Sequence, residues 1–343
     1  MRRRSDDHAV ASSIRWWQRW ASWAGYAASG AAALYGCVLL VAALLGHRSF
    51  IGVTDLGLPD VTWPSAVVLL IGSAVAAATV RPWGGRVPPR ALSAGAWGVA
   101  VLALAGSCMV LLSLIQLVLT GTVSDLNGNS DWLTFVERLC LAVVGALFVA
   151  TALSHDRRSA GVCPRCGRVH PPQASDRQYP TPHASPPAVR WIAYTGCCAL
   201  LPYLILHTLG AAGVPGIEPN GFRPTWYMLL AGFCGIGLAV FLLLGLVRPW
   251  GMVFPRWTLW LAGRRVPRFL PLTPVWVVAP TLALYGTVSG ILAAAGVLGD
   301  DLFSIGGAAS LAFGGYGWAL AIAAVSYQLR TRPLCVPTKT AAL

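Results

Sequence analysis

Eight apolar runs, at about 24–46, 63–80, 91–119, 132–153, 191–213, 226–247, 275–297 and 305–328, leave this chain few ways to fold. A helix crossing a hydrocarbon layer of about 30 Å needs about 20 such residues at 1.5 Å each. In lipid, every backbone N–H and C=O must be satisfied inside the segment, so runs of this length predict spanning helices. Composition agrees: 56% of residues are hydrophobic and 11% charged, where soluble domains carry about a quarter charged. Several runs are rich in Gly and Ala, which suits close helix packing in lipid. The expected fold is all-α: a polytopic membrane protein of eight transmembrane helices.

Charge placement sets the orientation. With a cytoplasmic N-terminus, the segments 1–23, 81–90, 154–190, 248–274 and 329–343 face inward and hold 22 of the 25 Lys and Arg. The outer loops hold Arg48 and Arg223, and Arg138 lies near the outer start of the fourth run. Lys and Arg resist translocation, so both termini are expected in the cytoplasm of a bacterial inner-membrane protein. Acids gather on the other side, at Asp55, Asp60, Asp125, Asp131, Glu218, Asp300 and Asp301. The net charge of +13 then reads as topology, with cytoplasmic faces that attract anionic lipid and no call for nucleic acid. The opening residues lack the short apolar core and cleavage site of a signal peptide. Trp16, Trp20 and Trp23, interleaved with Arg15 and Arg19, predict an interfacial segment over 1–23.

The pentapeptide VRPWG occurs at 80–84 and again at 247–251. In each copy Arg81 or Arg248 can reach headgroup phosphates, and Trp83 or Trp250 suits the interfacial belt. Pro82 and Pro249 stop the helix, and Gly84 and Gly251 permit the turn. Other residues keep nearly the same offset: Trp23, Tyr26 and Tyr35 map onto Trp191, Tyr194 and Tyr203, and GGRVPPR at 84–90 resembles AGRRVPR at 262–268. A duplicated four-helix unit explains the spacing, and because four is even the two copies are parallel repeats. The expected organisation is therefore a first repeat at 24–153, a linker at 154–190, a second repeat at 191–328 and a tail at 329–343. Pro202 and Pro280 interrupt the second copy alone.

RPWG turns followed by RVP-type basic segments, with a Tyr-bearing first helix, resemble a group of multi-pass actinobacterial membrane proteins. The use of 24 Arg and one Lys fits a high-GC source. That group carries no assigned activity, so the resemblance implies fold and location and brings no catalytic residues.

The linker is polar and Pro-rich, a composition that cannot bury a core and predicts a mobile connector. Within it, CPRCGRVH places Cys163, Cys166 and His170 in zinc-knuckle spacing. Structural zinc takes four ligands; His155, His183, Cys335 in the tail or a partner chain would supply the fourth. Two reduced thiols without a metal, or a redox pair, are the alternatives.

Ionisable residues inside the runs are few. His207 lies four residues after Tyr203, on the same helix face, about 24 Å from the inner end. With Glu137, Arg138 and Gln116 these two form a candidate outer recess, weighed against ordinary headgroup-level side chains. Gly286 and Gly290, and Ser310 and Gly314, have the spacing of close helix contacts. No Walker motif, HExxH or GxSxG is present, so an enzyme is disfavoured. The favoured reading is a non-enzymatic accessory or scaffold component of a membrane complex, partnered by the bilayer and by a second copy or another membrane protein. The alternatives are a permease-like transporter of a small molecule or lipid, and a sensor using CPRCGRVH as a zinc or redox switch.

Overall fold

The computed structural model describes residues 20–47, 49, 60–123, 130–163, 168–169, 176–214, 225–296 and 304–336. These are helical almost throughout, and seven helices are long and apolar enough to cross a membrane: Trp20–Leu44, Pro89–Val118, Trp132–Ser159, Pro187–Ala211, Leu229–Val247, Phe269–Ala294 and Ile305–Arg330. The chain is a helical membrane protein. The run at 63–80 forms a shorter apolar helix, Thr62–Ala78, of 17 residues, about 25 Å long. The VRP sequence ends it: a residue before proline is pushed out of the helical region, and Arg81 is extended at φ −99°, ψ 151°.

The residues separate into two compact units. One comprises Met1–Ser107 and Ser124–Ala174, the other Cys108–Val123 and Ser175–Leu343. The first contains α1 (Trp20–Leu44), α2 (Thr62–Ala78), α3 (Pro89–Gly106) and α5 (Trp132–Ser159). Its core is built on alanines, Ala28, Ala32, Ala66, Ala76, Ala96, Ala100 and Ala152, closed by Leu39, Leu69 and Phe148. Small side chains let backbones approach, so van der Waals contact and interhelical hydrogen bonds replace the hydrophobic drive that lipid does not supply. Ser73 Oγ donates to Ser29 O at 2.9 Å, linking α2 to α1. Asp131 accepts from Thr134 N at 3.1 Å and caps α5.

The third run does not stay in one unit. Its helix is interrupted at Ser107–Met109, and α4 (Val110–Thr120) belongs to the second unit. Ser107 Oγ bonds back to Leu104 O at 2.9 Å and Ser113 Oγ to Met109 O at 3.2 Å; such back-bonding bends helices.

The second unit also contains α6 (Pro187–Ala211), α7 (Trp226–Val247), α8 (Phe269–Ala294) and α9 (Ile305–Arg330). Helix α9 is its axis: 61% of its most apolar stretch is buried, against 17% for α6 and for α7. Glycines set the contacts. A Cβ on Gly286 would lie 2.2 Å from Gly314 N, and one on Gly196 would lie 2.3 Å from the Ala319 Cβ, whereas Gly290 has open space around it. Ser304 caps α9 through Gly307 N at 3.1 Å.

The described parts of the linker are more ordered than its composition predicts. Helix α5 runs on to Ser159, and Asp176–Gln178 forms strand β1, which pairs antiparallel with β2 (Leu334–Val336) in the register Arg177↔Cys335. Ser185 is buried, donating from both N and Oγ to Val247 O at 3.0 and 3.2 Å. A Pro-rich segment without a core of its own is here fixed onto the ends of helices that have one. A hairpin follows α7, closed by Phe254 N to Arg264 O at 2.9 Å and Val266 N to Met252 O at 3.0 Å. It exposes Trp257, Leu259 and Trp260 at its tip.

Candidate functional site

The two VRPWG turns repeat each other contact by contact. Arg248, like Arg81, is extended before its proline, at φ −99°, ψ 157°. Gly84 N donates to Arg81 O at 3.1 Å, and Gly251 N to Arg248 O at 3.3 Å. A Cβ on Gly84 would lie 1.8 Å from Ala78 O, and one on Gly251 would lie 1.8 Å from Gly245 O. The guanidinium of Arg81 sits 5.6 Å over the Tyr26 ring, and that of Arg248 sits 5.5 Å over Tyr194. Within each unit the turn therefore folds back against the helix it ends, and its arginine reaches the first helix.

The last helix of each unit also brings an arginine to this end. Arg158 donates from Nη2 to Thr79 O at 3.3 Å, and Arg330 donates from Nη2 to Leu246 O; Thr79 and Leu246 occupy the same place relative to their turns. What surrounds the two arginines differs. Arg330 also donates to His183 O, and Met252 Sδ lies 3.5 Å from its Nη1. Nearby, Tyr327 Oη donates to Gly251 O at 2.9 Å and Ser185 seals Val247 O. Arg268 donates to Thr331 Oγ1 and Gln328 O, both at 3.1 Å. The linker thus fills this position in the second unit.

In the first unit the corresponding position is a recess of about 260 Å³, lined by Thr79, Arg81, Gly84, Gly85, Val87, Pro89, His155, Arg158 and Ser159 among others. His155 Nε2 is 3.2 Å from Pro89 O, and Arg158 Nε donates to Ser154 O at 3.3 Å. Two arginines and a histidine line one small volume. This arrangement suits an anionic oxygen cluster. Arg158 and Arg330 escaped the sequence reading because a basic residue in the last turn of a helix is ordinary dipole compensation.

The zinc candidates stand as follows. Cys163 N donates to Arg168 O at 3.0 Å. Cys166 and His170 lie outside the described residues. Of the fourth-ligand candidates, His155 lines the recess, His183 Nδ1 lies 2.9 Å from Thr181 O, and Cys335 is held in β2. Among the described residues no three His, Cys, Asp or Glu are gathered as a metal site would need.

The outer-recess candidates divide between the units. Tyr203 and His207 stack edge-to-face at 4.4 Å, with Tyr203 also 5.0 Å from Phe313, and belong with Gln116 to the second unit. Glu137 and Arg138 belong to the first, where Glu137 is buried. Tyr35 Oη, buried in the same unit, has no hydrogen-bond partner among the described residues.

Helix α7 carries the other unusual surface. Its C-terminal half is locked in: Leu243, Leu246 and Val247 are fully buried, and Tyr316 Oη donates to Ala239 O at 2.9 Å. Its N-terminal half is exposed. Trp226, Tyr227, Leu230, Phe233 and Leu238 are exposed, and Cβ atoms built on Gly232, Gly235 and Gly237 would meet nothing within 4 Å. Helix α2 of the first unit is used differently: a Cβ on its Gly72 would lie 3.1 Å from Val99 and 3.2 Å from Phe148. Comparison with protein-family models, with curated proteins and with solved structures returned no match for this chain.

Proposed function

We propose that this chain is a non-enzymatic component of a bacterial inner-membrane complex, and that the outer half of α7 is the face onto which a transmembrane helix of a partner chain docks. One observation carries the reading. Close helix contacts in the second unit use small residues, as Gly286 does against Gly314 and Gly196 against Ala319, while among the described residues a Cβ on Gly237, which shares a helix face with exposed Leu230 and Phe233, would meet nothing within 4 Å. Lipid chains gain little from a glycine-lined surface, whereas a second helix gains close van der Waals approach.

The proposal includes the architecture of two tandem parallel four-helix repeats, with both termini and both VRPWG turns on the cytoplasmic side. The matched turns support the duplication, and the 22 basic residues on one side support the orientation. The hairpin supports the same placement. Trp257 lies 6.5 Å from Phe241 and Trp250 lies 4.8 Å from it, and Phe241 is six residues, about 9 Å, inside the end of α7. Tryptophans folded back to that depth sit at the headgroup boundary.

The test is photo-crosslinking in native membranes from Leu230, Phe233 and Gly237, with buried Leu243 as the silent control. The reading expects a discrete adduct larger than the chain at the three outer positions. Adducts to lipid alone, or a cross-link closing within the chain, would overturn it.

A further inference from the structure

We propose that the recess beside the first VRPWG turn binds a phosphate group, with Arg81 and Arg158 as its cationic jaws and His155 and Ser159 beside them. The argument starts from how much of each arginine is already used. Arg158 meets Ser154 O and Thr79 O, both at 3.3 Å and both through Nε or Nη2, which leaves Nη1 without a partner among the described residues. Arg81 is held from one side by the Tyr26 ring at 5.6 Å and meets no carboxylate or carbonyl among the described residues. An aromatic face fixes a guanidinium without neutralising it, so the donors stay available and pre-oriented.

The second unit shows what this position accepts when it is filled. There the equivalent arginine, Arg330, is satisfied by His183 O, Leu246 O and Met252 Sδ, and Ser185 closes over Val247 O. Three acceptors come from the chain itself. In the first unit Arg158 has the Thr79 carbonyl that matches Leu246, and the remaining volume is an open recess of about 260 Å³. That is several times the volume of a water molecule, about 30 Å³ in the liquid, and large enough for a phosphate.

The lining fits the same ligand. Pro89 begins α3, so the positive end of that helix borders the recess. His155 Nε2 lies against the Pro89 carbonyl, placing its ring at the rim, and Asp156 is turned to Trp97 Nε1 at 3.2 Å. Ser159 Oγ donates to Asp156 O at 3.1 Å, so its hydroxyl borders the recess and the donors to a phosphate come from the arginines. Gly85 borders the recess, and a Cβ there would meet nothing within 4 Å among the described residues. Arginine pairs with phosphate oxygens through two parallel N–H donors, which a lysine does not match.

Such a phosphate has two sources, an anionic lipid headgroup or free inorganic phosphate, and the experiment separates them. The lipid source rests on the membrane placement proposed above. The α7 docking face lies in the other unit, so loss of phosphate binding would leave that face unaffected. The full chain is placed in nanodiscs containing phosphatidylcholine with a small fraction of phosphatidylglycerol, and retained lipid is read by native mass spectrometry. In parallel, inorganic phosphate binding is measured by equilibrium dialysis of the protein in a phosphate-free detergent. Four variants are compared: Arg81→Gln, Arg158→Gln, Gly85→Leu, which adds a side chain at the border of the recess, and Arg248→Gln, which removes the same charge from the matched turn of the second unit.

A tightly held phosphatidylglycerol that weakens at least ten-fold in the first three variants and not in Arg248→Gln establishes a lipid site. Inorganic phosphate bound with the same variant pattern, and displacing the lipid, establishes a phosphate site occupied from solution. Equal loss in Arg248→Gln, or no loss in Arg81→Gln and Gly85→Leu, would overturn the proposal, because attraction would then be diffuse. Arg81 is exposed and Gly85 unconstrained, so these two variants keep the test decisive if Arg158→Gln does not fold.

Discussion

Replacing Gly84 by alanine tests the turn geometry that recurs in both units. The added Cβ would sit 1.8 Å from Ala78 O, also 2.6 Å from Ala78 C, when side-chain carbons stay at least 3.0 Å from such atoms. The turn must therefore retreat by at least 1.2 Å from the helix it terminates. The obstruction is backbone, so no rotamer change relieves it. Overpacking of this kind costs about 1–3 kcal/mol, and restricting the unfolded chain returns about 0.4–1 kcal/mol. A net loss of about 1 kcal/mol lowers the melting temperature by about 2–4 °C for a unit of this size. The neighbouring Gly85→Ala meets open space, so it should stay within about 0.5 kcal/mol of the parent. Gly251→Ala should match Gly84→Ala, because its Cβ meets Gly245 O at the same 1.8 Å. The assay is thermal unfolding in a mild detergent, read by loss of the monodisperse peak in size-exclusion chromatography. If Gly84→Ala and Gly85→Ala melt together, the geometric reasoning is refuted.

Two further outcomes follow from the packing. Gly286→Leu should prevent recovery of folded protein, because α8 and α9 touch backbone to backbone there, while Gly290→Leu, in open space, should express and melt normally; yield and melting temperature of the pair decide it. Tyr327→Phe should cost about 1 kcal/mol, the usual net value of a hydrogen bond, by removing the bond from a fully buried hydroxyl-bearing ring to Gly251 O, and unfolding in the same detergent measures it.

The spanning helices and the turn positions were legible in the sequence because each rests on a local rule. Hydropathy and length mark helices such as Pro187–Ala211 and Ile305–Arg330, and proline after Arg81 and Arg248 forces both residues to be extended. The 167-residue spacing of those arginines pointed to two turns of one design. What escaped was decided by tertiary contact. The apolar run at 91–119 gives no sign that its second part, Val110–Thr120, joins the other unit, since an uninterrupted hydropathy profile is blind to back-bonding by Ser107. The linker reads as a solvated segment, yet β1 and Ser185 are pinned to the second unit by backbone groups that any sequence carries. Helix α7 is apolar all round, so nothing in its pattern separates its buried C-terminal half from its exposed N-terminal half. Arg158 and Arg330 look alike as letters; the acceptors folded against Arg330 make one site full and the other open.

The central claim is that the N-terminal half of α7 is made for another helix, and Gly237→Leu in native membranes tests it most directly. Gly237 shares a helix face with Leu230 and Phe233, and a Cβ there meets nothing within 4 Å among the described residues, so the isolated protein should keep its melting temperature. Native mass spectrometry of the parent, released gently from its membranes, should show the chain bound to a partner chain in fixed ratio, and Gly237→Leu should show the chain alone. A parent that leaves the membrane as the bare chain, or a complex that survives Gly237→Leu unchanged, would contradict the account.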